Sequence, residues 1–136
     1  MADVMTPVFL AVMAHGTMIF CALFDRQEYI MASLPPSFTE DEEAIEDFDA
    51  SICVCLGLSL VFIVGEVIAL FRQVPPRSVS LATFFTHNIA CLILLKFTVD
   101  IHPVSHFWIL FAFTSFPTAL AQVIILVKSF NKVKYC

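Results

Sequence analysis

The chain has 136 residues, of which 60% are hydrophobic and only 14% are charged, whereas an ordinary soluble domain is about 45–50% apolar and about 25% charged. The net charge is −5, but nine of the twelve acids lie between Asp25 and Asp49, and no basic patch is large enough to predict binding of nucleic acid. This composition excludes a soluble nucleic-acid-binding protein. It predicts one membrane domain that spans residues 1–136.

Four apolar runs predict transmembrane helices, because each has about the 17–25 residues that a helix needs to cross the hydrocarbon core. They lie at 7–24, 50–71, 79–97 and 107–127. We therefore predict an all-α membrane protein whose four transmembrane helices form an antiparallel bundle. The first run is interpreted as a span and not as a signal peptide, because it lacks a basic n-region and His15 interrupts its apolar core.

An acidic loop on the outer side, 25–49, connects the first two spans. Pro35 and Pro36 interrupt any helix there. Thr39 and Glu42 fit a capping box, and acids favour a helix N-terminus, so we predict a helix that leads into the second span. Calcium binding is the alternative interpretation, but the residue spacing of an EF-hand loop is missing.

The distribution of basic residues predicts the orientation of the bundle. The 72–78 loop and the C-terminal segment carry five of the seven Lys and Arg residues, and the other side carries only Arg26 and Lys96. We therefore expect both termini and the 72–78 loop to face the cytoplasm. Lys132 and Lys134 resemble a dilysine retrieval signal of the endoplasmic reticulum, but we favour simple attraction to the anionic inner leaflet.

Each predicted span contains one strongly polar side chain at a similar depth. At ~1.5 Å per helical residue, all four lie roughly 7–12 Å from the cytoplasmic boundary. Small and polar residues accompany them at helical spacing, which is typical of a face that packs against other helices. The sequence therefore predicts a polar network inside the membrane, in which the carboxyl group bonds to one or both imidazoles. Its predicted members are His15, Glu66, His87 and Gln122.

Three interpretations compete for this network. The favoured one is structural, in which hydrogen bonds fix the pairing of the helices. A proton relay is the second, since ionisable residues in a membrane often mark a transport pathway. A metal site is the third, since two imidazoles and a carboxylate can bind zinc, but no span carries a His-x-x-His or Glu-x-x-His pair. No catalytic, cofactor-binding or metal-binding residue is predicted, because no nucleophile and base have a persuasive spacing.

Residues along nearly the whole chain resemble the transmembrane protein 107 family. The resemblance depends on the order and spacing of many short matches, loop lengths included, and not on a single motif. It is weakest at Gln122, whose place in the network rests on spacing alone. The matching residues are Ala14-His15, Leu34-Pro35, Phe38-Thr39, Gly65-Glu66, His87, Trp108, Phe111, Phe113, Ser115 and Pro117.

This resemblance implies a non-enzymatic membrane scaffold of the ciliary transition zone. Such a protein helps assemble the diffusion gate that controls ciliary membrane protein composition and ciliogenesis. The implied partners are membrane proteins of the tectonic and Meckel type, together with membrane lipid, and no small-molecule substrate or cofactor is expected. A small proton-linked transporter or channel that uses Glu66 with His15 and His87 is the alternative function, and the endoplasmic reticulum is the alternative location.

Overall fold

The structure, a computed structural model, describes residues 2–38, 42–72 and 75–134, with side chains described for 4–37, 42–72 and 75–130. These residues form α-helices and one short 3₁₀ turn, and no strand occurs among them. The α-helices are α1 (Ala2–Phe24), α2 (Arg26–Ser33), α3 (Glu42–Arg72), α4 (Arg77–Asp100), α5 (Val104–Phe113) and α6 (Ser115–Lys134), and the 3₁₀ turn is Pro36–Phe38.

Four of the helical stretches in the described part of the chain are long and apolar enough to cross a membrane. They are Val4–Phe24, Glu42–Arg72, Arg77–Asp100 and Val104–Phe130. The predicted all-α class and the four spans are therefore confirmed. The helices extend beyond the predicted spans because hydropathy marks only the part of a helix that lies in hydrocarbon.

The first transmembrane helix, α1, packs against both α3 and α4, and α3 packs in turn against α5 and α6. The buried core of this bundle is mainly aliphatic, whereas large apolar side chains also cover the outside. Phe71 and Phe113, for example, are 77% and 76% exposed. Such a surface is costly in water but suits lipid, where helix pairing depends on close packing and hydrogen bonds.

The segment predicted as the acidic outer loop is largely helical and folds back onto the bundle. Tyr29 of α2 is fully buried, with its ring centroid 4.8 Å from that of Phe107. The Ser33 hydroxyl accepts a hydrogen bond of 2.8 Å from the Val104 backbone N–H. The α2 helix therefore covers one end of the bundle, and Pro35 lies in the break between α2 and the 3₁₀ turn.

An exposed ion pair also links α2 to α3. The Arg26 Nε–H donates to the Asp49 carboxylate over 2.6 Å. This hydrogen bond, with the charge of Asp49, raises the pKa of Arg26. Of the predicted capping box, Thr39 lies outside the described residues, but α3 begins at Glu42, in the acidic run where the sequence predicts a helix start.

The fourth span contains a break that divides it into α5 and α6. Pro117 has no N–H to donate to the Phe113 carbonyl, and its ring clashes with that carbonyl in a regular helix. The regular helix stops at Phe113, and Thr114 takes φ −117° and ψ −68° before α6 begins. The Thr114 hydroxyl donates to the Leu110 carbonyl over 2.6 Å. The break therefore lies at Thr114, three residues before Pro117.

Candidate functional site, a polar network inside the bundle

A chain of hydrogen bonds connects all four spans in the core. His15 Nδ1 of α1 lies 2.8 Å from His87 Nδ1 of α4. The other ring nitrogen of His87, Nε2, lies 2.9 Å from Glu66 Oε2 of α3. The Thr118 hydroxyl of α6 donates to Glu66 Oε1 over 2.6 Å. Glu66 is thus bonded through both carboxyl oxygens, each to a different helix.

Small side chains let the helices approach closely enough for these bonds. Ala11 lies one turn before His15, and Ala90 lies one turn after His87; both are buried. A Cβ atom on Gly16 would lie 3.3 Å from the Ile63 side chain, so α1 and α3 are in close contact at the level of the network. These residues explain why two imidazole rings fit between the helices.

The network is shielded from its surroundings. The exposed fractions of His15, Glu66 and His87 are 1%, 1% and 0%. A buried polar group without a partner costs about 1–3 kcal/mol, and a charged one costs more. The hydrogen bonds therefore offset a cost that burial imposes on each of these side chains.

Two arrangements of protons satisfy all three contacts. In the first, His15 Nδ1–H donates to His87, and His87 Nε2–H donates to the carboxylate of Glu66. In the second, His87 Nδ1–H donates to His15, and the protonated carboxyl group of Glu66 donates to His87 Nε2. The second arrangement contains one more proton than the first. The network would gain this proton at His15 Nε2, which carries no proton in the first arrangement. The geometry can therefore hold a proton as well as pair the helices.

The fourth predicted member, Gln122, is not bonded to the other three. Its side chain is 6% exposed, and its Nε2 has no hydrogen-bond partner in the described structure. Thr118, one helical turn earlier, occupies the position on α6 that contacts Glu66. Sequence reasoning did not assign Thr118 to the network, although it belongs to the small and polar stripe on that helix. The role of the assembled network remains a prediction.

A zinc site would require three side chains that each direct a free donor atom toward one ion. Among the residues whose positions are described, no group of three His, Cys, Asp or Glu side chains could hold a metal ion. Both ring nitrogens of His87 are already engaged in hydrogen bonds. The geometry thus gives the zinc interpretation no support.

A second histidine pair, which sequence reasoning did not single out, lies at the opposite end of the bundle. His102 Nδ1 and His106 Nδ1 are 2.9 Å apart, and both rings contact Phe97. The four-residue spacing of the two histidines would indicate this contact if both lay on one helix. In the structure, however, His102 lies in the turn before α5, which begins at Val104.

Comparison with known proteins identifies the family. The family model described as "TMEM107: Transmembrane protein" matches residues 4–126. The chain belongs to the transmembrane protein 107 family. The matched region includes the four residues of the hydrogen-bonded network, so the network lies inside the region that defines family membership. These residues are His15, Glu66, His87 and Thr118.

Vertebrate members of the transmembrane protein 107 family match over most of their length. Transmembrane protein 107 of Danio rerio is 29% identical over 120 residues, which cover 87% of this chain and 87% of that protein. The protein of the same name in Rattus norvegicus is 27% identical over 130 residues, covering 93% of this chain and 90% of the rat protein. Neither name is that of an enzyme. No solved structure matches this chain.

Proposed function

We propose that this member of the transmembrane protein 107 family is a membrane scaffold of the ciliary transition zone. In this proposal it helps assemble the diffusion gate that controls ciliary membrane protein composition and ciliogenesis. Family membership and the resemblance described above support the location. We also propose that its partners are other transition-zone membrane proteins of the tectonic and Meckel type, and that it acts without catalysis.

One observation supports a scaffold more than any other. The buried His15, Glu66, His87 and Thr118 are bonded to one another in the core, while the outside of each span is largely covered by exposed apolar side chains. A protein with this distribution meets its neighbours laterally, through helix faces in the bilayer. Assembly with other spans is the activity that such a surface serves best.

The outer end of the molecule supports the same proposal. The α2 helix packs onto the bundle through Tyr29, so this part of the outer segment is held against the spans. We propose that this end faces away from the cytoplasm. Arg72, Arg77 and Lys128 are exposed at the opposite end, where Lys128 and Pro76 line the same shallow depression. The side chains of Lys132 and Lys134 lie outside the described residues, so a retrieval signal there stays a prediction.

The location and the role can be tested together in a ciliated cell. The chain is tagged and imaged against a basal-body marker, and a ciliary membrane receptor is followed in cells that lack the protein. We expect a ring just distal to the basal body and altered receptor entry upon loss. A signal that fills the endoplasmic reticulum, combined with a normal ciliary membrane composition upon loss, would show that the proposal is wrong.

A proton-linked transporter is a second candidate, because the chain from His15 to Glu66 is continuous. Together with Thr118, this chain of hydrogen bonds joins four spans at one depth and therefore runs across the bundle, whereas a transport path must run along it. Transporter sites are typically built on broken helices. In the described part of the protein, the fourth span is broken, and it contributes only Thr118 to the hydrogen-bond chain. Proton flux into vesicles containing the purified protein, abolished by Glu66→Gln, would favour this candidate over the scaffold.

A further inference from the structure

A groove of about 460 Å³ lies between α3 and α6 on the outside of the bundle. Its walls include Phe62 and Phe116, and its rim includes the exposed Gly65 and Leu120. A Cβ atom on Gly65 would meet no other atom within 4 Å, so the groove is open there. Small-molecule sites are typically about 300–1,000 Å³, mostly apolar, with a few polar groups at fixed positions. The groove has this size and composition.

Its polar groups are Glu66 and Gln122, which lie on the two facing helices. Each carboxyl oxygen of Glu66 accepts or shares one hydrogen bond within the network, and an oxygen has two lone pairs, so one site on each remains. Gln122 is more than nine-tenths buried, and its Nε2 has no hydrogen-bond partner in the described structure. An unpartnered buried donor costs about 1–3 kcal/mol. A ligand group in the groove would remove that cost.

The charges around the groove limit the class of ligand. No Lys or Arg lines it among the described residues, and a carboxyl group lies at its base, so a phosphate or carboxylate headgroup does not fit. A hydroxyl group does fit, because it can accept from the Gln122 N–H and donate to Glu66 at the same time. The walls contribute flat aromatic rings, which suit a rigid apolar body.

The depth of the polar pair agrees with a hydroxyl-bearing lipid. Glu66 lies six residues before Arg72, the last residue of α3, which corresponds to about 9 Å along the helix. The longer part of the groove extends from this level toward Val61 and Phe116, deeper in the bilayer, and a shorter part extends toward Ala69 and Leu126, nearer the interface. A lipid bound there keeps its polar end near the interface and its apolar body in hydrocarbon.

We propose that the groove between α3 and α6 binds a neutral lipid of the sterol class, one hydroxyl group on a rigid apolar body. The hydroxyl oxygen accepts a hydrogen bond from the Gln122 amide, and its proton is donated to Glu66. The apolar body lies between Phe62 and Phe116. This inference does not depend on the proposed location in the cilium.

Labelling with a photoreactive sterol tests the proposal on the full chain, purified in nanodiscs. The label is expected on peptides from both walls of the groove, 61–69 and 116–126. Gln122→Leu removes the amide and is expected to reduce labelling roughly tenfold, the effect of losing one interaction of ordinary hydrogen-bond strength. Gly65→Leu fills the groove and is expected to reduce labelling at least as much, because it excludes the apolar body of the sterol. Gly57→Leu is the matched control, because Gly57 is on the same helix and also faces open space. It should label as the unchanged chain does.

Competition identifies the chemical group that is recognised. Unlabelled sterol should displace the probe, while its methyl ether, which cannot donate, should compete roughly tenfold less well. Equal labelling of Gly65→Leu, Gln122→Leu and Gly57→Leu would overturn the proposal, as would equal competition by the methyl ether or by a phospholipid. If Gly65→Leu changes the mass of the purified particle and leaves labelling unchanged, the groove packs a second copy of the chain and the proposal is wrong.

Discussion

Glu66 is the residue that the surrounding sequence makes least expected, because a carboxyl group in hydrocarbon costs about 2.5–3.5 kcal/mol on insertion scales. The structure gives each of its oxygens a partner on another helix, His87 on one side and Thr118 on the other. In lipid such bonds fix which helices pair and in which rotation. At the scale of the residue, the hydrogen bonds that satisfy the buried carboxyl group are therefore also the bonds that join α3 to its neighbouring helices.

Substitution of Glu66 tests the structural role directly. Glu66→Gln keeps an acceptor for one partner and a donor for the other, so it should fold and accumulate normally. Glu66→Leu removes the hydrogen bonds that join α3 to His87 and to Thr118, and we expect a loss of about 1–2 kcal/mol. Unfolding of the purified protein in detergent measures both. The same pair of substitutions at the exposed Glu46, beyond the first turn of α3, is the control and should change little. If Gln and Leu fail alike at residue 66 and zinc copurifies stoichiometrically, the structural interpretation is wrong.

The two polar residues of α6 should respond in opposite ways. Thr118→Val preserves shape but removes a hydrogen bond to Glu66, so we expect a loss of about 1 kcal/mol in the free energy of unfolding. Gln122→Leu removes a buried amide whose Nε2 has no partner, so it should be neutral or stabilising in sterol-free detergent. The comparison uses the same unfolding assay. A larger loss for Gln122→Leu than for Thr118→Val would contradict the observed geometry.

At the scale of the element, α2 is the part whose structure departs most from the predicted outer loop. The α2 helix has eight residues. A helix of this length is too short to be stable alone in water. Burial of Tyr29 against Phe107, with the Ser33 hydroxyl bonded to the Val104 N–H, holds it on the bundle. The helix therefore exists because of its tertiary contacts.

Removal of the Tyr29 ring should release α2. A buried aromatic side chain replaced by alanine typically costs about 3–5 kcal/mol, so Tyr29→Ala should detach the helix while the spans stay folded. Hydrogen exchange measures this: backbone amides of 26–33 should exchange much faster, and those in the centre of α3 should not. Glu28→Ala, at an exposed position of the same helix, is the control. Equal exchange in the two variants would show that Tyr29 does not anchor α2.

At the scale of the whole molecule, the basic residues provide a prediction of orientation. Five of seven Lys and Arg residues lie on the side of the 72–78 loop and the C-terminal segment, and such an excess marks the cytoplasmic side. A glycosylation sequon inserted near Ser37 should therefore be modified, and one near Ser78 should not. Both positions are exposed, so access does not bias the comparison. Modification near Ser78 alone would reverse the assigned orientation.

The sequence by itself determined the number of spans and the inward position of the polar residues. Hydropathy over about twenty residues is sufficient for the first, because the thickness of the hydrocarbon core sets the length of a span. The inward position of the polar residues follows from the cost of an unsatisfied polar group in lipid. The same reasoning brought His15, His87 and Glu66 to one depth, where the structure bonds them to one another.

Only the tertiary structure decided which atoms meet. Residues one turn apart on a helix point in nearly the same direction but lie about 6 Å apart along its axis, so a small shift of the helix along its axis exchanges one polar partner for another. This is why Thr118 contacts Glu66 while the Nε2 of Gln122, one turn away, has no partner. Sequence spacing gives only the approximate depth of a side chain, because the axial position and the rotation of each helix depend on how all four spans pack. The docking of α2 depends on that packing as well, because its partners belong to helices distant in the chain.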